Sequence, residues 1–286
     1  MTVETRAPAP VPRLSARRRL RRRLADWPSI LLGLFGLLTL AFLVLPILLV
    51  IPMSFGGGDY LEFPPSSYSL RWYRAYFSDA EWLGSTWLSL KIALMTMLAA
   101  TTLGTAAALA LVRRGLAAKG YVQGMIAAPM IAPAIITAVA FYLFFTRIGL
   151  VGTTFGFVLA HTVLALPLVI FSVIASLERI DPRLEMVALS LGASRRAAIF
   201  LVTLRLALPG ILIGALFAFI TSFDEATVSY FVSASDAKPL PKKMFEGMEW
   251  ELSPIIAAVA TMLTVLSFAI VALLAVLRRR SGDRAP

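Results

Sequence analysis

The stretch DPRLEMVALSLGASRRAAIFLVTLRLALPGI, Asp181 to Ile211, decides how the chain is read. It is polar and arginine-bearing, yet it sits between two long apolar segments. Asp181-Pro182 opens a helix well, because Asp can cap and Pro suits the first turn. Leu184, Val187, Ala188 and Leu191 then recur at helical spacing. Gly192 ends that helix as a residue able to take positive φ, and a second helix is expected after Gly192-Ala193-Ser194. Adjacent membrane helices usually need only a short polar turn. A long ordered loop here reads as a docking surface, with a surface helix resting on lipid headgroups as the alternative.

Composition makes the flanking segments membrane spans. The 286 residues are 59% hydrophobic and 15% charged, against about 25% charged in ordinary soluble domains. Mean hydropathy is +0.82. The net charge of +11 is concentrated in Arg17 to Arg19, Arg21 to Arg23 and Arg278 to Arg280. Both runs abut apolar segments, which fits anchoring to anionic lipid and not nucleic-acid binding. No Cys is present, so disulfides and thiolate metal sites are excluded, and the single His excludes a multi-His site. The first apolar run is too long for a signal-peptide core and is expected to be retained.

A hydrocarbon core of about 30 Å needs roughly 20 apolar helical residues. Six stretches qualify: Ile30 to Met53, Trp87 to Val112, Met125 to Phe145, Leu150 to Leu177, Leu206 to Phe223 and Ile255 to Leu277. With the N-terminus inside, 19 Lys and Arg fall on the inner side and 6 on the outer, so both termini are expected to be cytoplasmic. Residues 1–28 are expected to form a disordered basic tail. Residues 29–277 form the six-span domain, with a cytoplasmic loop at 178–205, and residues 278–286 a second tail. Pro129 and Pro133, four apart, mark either ordinary kinks in a packed bundle or a hinge lining a polar path. His161 is expected to hydrogen-bond a neighbouring helix, Lys91 to snorkel, and Thr101, Thr102 and Thr105 to help packing. The outer loop at 56–84 is rich in aromatic residues, which suits the headgroup belt.

Around Gly192 the chain resembles the permeases of ABC importers, whose loop carries Glu-Ala-Ala, three residues and Gly, then a spaced Ile-x-Leu-Pro. Met186, Val187 and Ala188 occupy the Glu-Ala-Ala positions, and Glu185 falls one residue earlier. Leu204-Arg205 hold the later Leu-Pro position, with Leu208-Pro209 four residues beyond. Residues 86–112, 209–225 and 240–263 look like the second permease component of spermidine/putrescine-type importers. Ser222-Phe223-Asp224-Glu225 is the most specific element. The resemblance implies an all-α polytopic membrane protein with six transmembrane helices, the type I importer permease fold, in a bacterial inner membrane. It also implies a second permease, two ATPase subunits and an external substrate-binding protein. Glu185, Met186, Val187, Ala188, Gly192, Ala193 and Ser194 would form the ATPase-docking loop.

No Gly-rich loop ending in Gly-Lys-Ser/Thr is present. This chain is therefore expected to bind no cofactor, with ATP and Mg held by the partner ATPase. The substrate implied is a polyamine, with Asp224 and Glu225 as candidates for its path. A solvated helix end is the plainer reading of that pair. Another substrate within the class, an amino-acid derivative or ferric ion, remains open. So does an ATP-independent secondary transporter, although Lys91 and His161 are its only ionisable candidates.

Overall fold

The structure, a computed structural model, describes residues 27–113, 119–234, 237–250 and 253–282, excluding the side chains of 250 and 269–282. The expected tail at 1–28 lies almost wholly outside these residues, as do Arg114, Asp236, Glu251 and the positions after Gly282. Among the described residues the chain is helical, with one isolated antiparallel bridge between Gly56 and Tyr68. The helices are α1 Trp27–Ser54, α2 Arg71–Ser78, α3 Ala80–Arg113, α4 Lys119–Ile131, α5 Ala134–Ile148 and α6 Thr154–Leu177. They continue with α7 Arg183–Ser190, α8 Arg195–Ala198, α9 Leu204–Phe223, α10 Thr227–Val232, α11 Leu240–Trp250 and α12 Ile255–Gly282.

Four of the expected spans appear as long apolar helices: α1, α3, α6, and the run Arg195–Phe223 that contains α8 and α9. The described apolar part of α12 is Ile255–Phe268. The expected continuous span Met125 to Phe145 is different, because α4 and α5 are bent by 96° at the break between Ile131 and Ala134. Pro133 has no N–H to continue the ladder and disfavours helical geometry at Ala132. The new helix starts behind Pro133, where Thr137 N–H donates to its carbonyl at 3.1 Å. The fourth span starts at Thr154, not Leu150. Gly149 and Gly152 take φ of 69° and 74°, and the Thr153 hydroxyl then accepts from Gly156 N–H at 3.0 Å.

Packing centres on α6, which lies between α3 and α9. Ala100, Ala108, Ala207 and Ala218 are fully buried against Ala165, Val169 and Val173. A Cβ on Gly104 of α3 would stand 2.7 Å from Val169 Cγ1, and one on Gly214 of α9 would stand 3.2 Å from Val169 Cα. Gly210 presses on the Ser176 side chain and, at 2.8 Å for such a Cβ, on the Ser172 carbonyl. Small residues let the three backbones approach, and lipid offers no hydrophobic drive to replace that contact.

Towards the Asp224 end, Phe145, Phe157, Val228 and Val232 knit α5, α6 and α10. Tyr76, Trp82, Leu240 and Val259 knit α2, α3, α11 and α12. The aromatic loop divides there. Trp72 Nε1–H donates to Gly58 O at 3.1 Å and Tyr73 shares a 2.7 Å bond with Ser54, while Tyr60, Phe63, Tyr68 and Phe77 are exposed.

Gly104→Ala should destabilise the purified protein by about 1–3 kcal/mol through overpacking, read as a lower midpoint in a detergent thermal melt. The nearest clash is with Val169 Cγ1 at 2.7 Å, with Val169 Cβ at 2.9 Å behind it, so Val169→Ala should relieve the larger part and the double variant should melt above the sum of the singles. Strict additivity would remove Val169 as the contact point.

Candidate functional site

The Asp181–Thr203 loop folds as its residue types dictate. Asp181 Oδ1 accepts from Arg183 N–H at 2.9 Å, which satisfies a free donor at the start of α7. At the other end Gly192 takes φ of 89°. Ala193 N–H donates to Ala188 O at 3.1 Å and Gly192 N–H to Leu189 O at 3.0 Å, the paired bonds of a Schellman stop. Nothing lies within 4 Å of a Cβ built on Gly192, so glycine is required there by backbone conformation and not by space. Ser194 then caps α8, its hydroxyl accepting from Ala197 N–H at 3.2 Å.

This folding leaves a hard, apolar knob. Met186 is 57% exposed, Val187 55% and Leu191 83%, and none of the residues of α7 is buried. Exposed apolar clusters on an ordered helix mark interaction surfaces. Gly192 and Ser194 are exposed beside them, and Ala188 and Ala193 are half-buried.

Glu185 behaves differently. Its carboxylate faces the body of the protein and forms an ion pair with Arg113 at the end of α3. The same guanidinium nitrogen donates to Thr203 Oγ1 at 2.8 Å, and the Thr203 hydroxyl lies 3.3 Å from Glu185 Oε2. Thr203 closes the π-helical turn Ile199–Thr203 that joins α8 to α9. These three residues, with Val112, Leu177, Ile180, Asp181, Pro182 and Val202, line a cleft of about 280 Å³. A second pair, Lys119 with Glu178 at 3.1 Å, lies in solvent nearby. Sequence reading missed Arg113 and Thr203. They stand 72 and 18 residues from Glu185, so no local pattern joins them.

Asp224 and Glu225 lie beyond the other end of α9, about 30 Å from the loop for 20 helical residues. The structure therefore gathers two groups, not one. Asp224 is exposed and follows the Phe219 and Phe223 rings, stacked at 5.8 Å and 14°. Glu225 is half-buried and accepts from Val228 N–H at 2.9 Å, which fastens the start of α10. Below them His161 is buried on α6. Its Nδ1 shares a 2.9 Å bond with Ser222 of α9 and its Nε2 a 3.4 Å bond with Ser229 of α10. That is the expected bond to a neighbouring helix. Glu246 pairs with Lys238 at 3.1 Å and Lys242 at 3.6 Å, and Glu81 with Lys243 at 3.0 Å. Lys91 is exposed on α3.

Residues 100–283 match the family described as binding-protein-dependent transport system inner membrane component. The chain is 31% identical to the spermidine/putrescine transport system permease protein PotC of Haemophilus influenzae, over 87% of this chain and 96% of that protein. It is 32% identical to the putrescine transport system permease protein PotI of Escherichia coli, over 79% and 83%. Among solved structures, a chain of a bacterial ABC transporter importing the acidic polysaccharide alginate shares the fold, with a TM-score of 0.63 at 17% identity. That match covers 94% of this chain and 99% of the other.

Gly192→Val should open the loop, since a β-branched residue in left-handed geometry costs about 1–2 kcal/mol. Trypsin should then cut the folded protein at Arg195 and Arg196 faster than in the parent, with Gly192→Asn intermediate. Equal cleavage rates would remove the glycine stop as the source of the loop's order.

Proposed function

This chain belongs to the family of binding-protein-dependent transport system inner membrane components, and on that premise we propose that it carries polyamines across a bacterial inner membrane. It is a multi-pass permease subunit of an ABC importer and not an enzyme, and ATP hydrolysis belongs to a separate subunit. The observation that carries the polyamine reading is a likeness to spermidine and putrescine permeases that spans most of both chains.

The proposed arrangement has six membrane crossings, the α4–α5 pair counting as one, with both termini in the cytoplasm. The chain pairs with a second permease, two ATPase subunits that bind ATP and Mg²⁺, and an external binding protein. The ATPase grips the exposed face of α7 around Met186 and Val187, stiffened by the Gly192-Ala193-Ser194 stop, with Glu185 at its root. A rigid knob suits this task because a flexible one would absorb the movement it has to pass on. At the opposite end Asp224 meets the incoming cation where it first leaves water. An exposed carboxylate that follows Phe223 in the chain, whose ring stacks on Phe219, is chemistry that favours an ammonium group. Glu225 supports that corner as a helix cap.

Tagged protein drawn from native membranes in mild detergent should bring down a P-loop ATPase and a second multi-span chain, identified by mass spectrometry. Recovery of this chain alone would end the docking reading. Asp224→Asn, with insertion unchanged, should slow spermidine uptake about fivefold, as expected for loss of roughly 1 kcal/mol of cation attraction. Unaltered uptake would take Asp224 off the path.

A further inference from the structure

The docking reading makes α7 the part that is gripped, and the contacts of Glu185 show what it is fastened to. A residue meant to meet a partner should point outward, as Met186, Val187 and Leu191 do. Glu185 lies on the opposite side of the helix, where its side chain is 24% exposed and paired with an Arg113 side chain that is 25% exposed. Arg113 also holds Thr203, so one guanidinium joins three elements: the end of α3, the docking helix, and the π-helical turn that leads into α9. No residue of α7 is fully buried. This polar junction ties the knob to the bundle.

We propose that Arg113, Glu185 and Thr203 form an internal latch that makes α7 move as one body with α3 and α9, Glu185 being a positioning residue and not a contact for the ATPase. The inference rests on the docking reading and deepens it. Three features support the assignment. One terminal nitrogen of the Arg113 guanidinium carries two N–H donors and so holds the Glu185 carboxylate and the Thr203 hydroxyl together. Partial burial weakens screening, unlike the exposed Lys119–Glu178 pair, which by the same reasoning carries little. The π-helical turn gives α9 an irregular first turn, and such single turns recur at functional sites.

The chain has no cysteine, so labels can be placed at will. Spin labels on cysteines introduced at Arg183 and Leu103, both exposed, report the distance between α7 and α3 in the purified complex. The parent should give one narrow distance that is the same with and without Mg-ATP. Arg113→Gln or Glu185→Gln should broaden it while the ATPase still co-purifies, and spermidine uptake per ATP hydrolysed should fall about tenfold. The exchanged pair, Arg113→Glu with Glu185→Arg, should restore the narrow distance, and Lys119→Gln should leave it narrow. The latch is overturned by a narrow distance in both single variants, by a broad one in the exchanged pair, or by loss of the ATPase from Glu185→Gln. The distance needs no substrate, so a complex that carries no polyamine refutes the substrate alone. A parent that retains no ATPase refutes the docking reading, while the width of the distance still reports on the latch.

Discussion

Three helix backbones meet at Val169, and the rest of the bundle is arranged around that approach. Gly104 and Gly214 press on the residue from α3 and α9, and any Cβ at either position would crowd it. In lipid the outer faces of these helices gain nothing by associating, so van der Waals contact at short range has to hold them together. Alanines at 100, 108, 207 and 218 extend the contact in both directions. With the centre so closely packed, α6 and α9 can shift against each other only by trading one discrete packing for another.

That central constraint gives the polar contacts at the two ends of α9 their significance. At one end Thr203 joins the guanidinium that also holds α3 and α7. At the other Ser222 bonds His161 of α6, which reaches Ser229 of α10. Between them runs a helix of 20 residues, apolar and broken by no charge after Arg205. Inside a low-dielectric bundle such bonds are directional and costly to leave unmade. The Asp181–Thr203 loop and the acidic corner therefore lie at two ends of one fastened rod.

Much of this was legible in the sequence because its causes are local. Asp181-Pro182, Gly192 and Ser194 each act within a few residues, and the structure uses each as its chemistry suggests: a donor satisfied, a helix stopped, a helix capped. Apolar runs long enough to cross lipid also declare themselves. Less legible was whether Pro129 and Pro133 would kink a helix or break it. Both outcomes follow from a missing N–H, and tertiary packing of α4 on α6 and of α5 on α10 selects the break. Least legible was the partner of Glu185. An arginine 72 residues earlier, at the end of another span, looks in sequence like any other positive charge beside a membrane.

The same contrast bears on how the motif of this loop should be understood. Family resemblance assigns a carboxylate to the start of the Glu-Ala-Ala stretch, but here Met186 stands in that place and Glu185 precedes it. One residue is about 100° of helix rotation, enough to turn a side chain from the exposed face of α7 towards the bundle. The shift moves the charge from the exposed face of α7 to the junction with α3. It leaves apolar Met186 and Val187 on the exposed face. The exposed face of α7 is thereby left apolar, while the Glu185 charge is used within the protein, joining α7 to the end of α3 and to the turn that leads into α9.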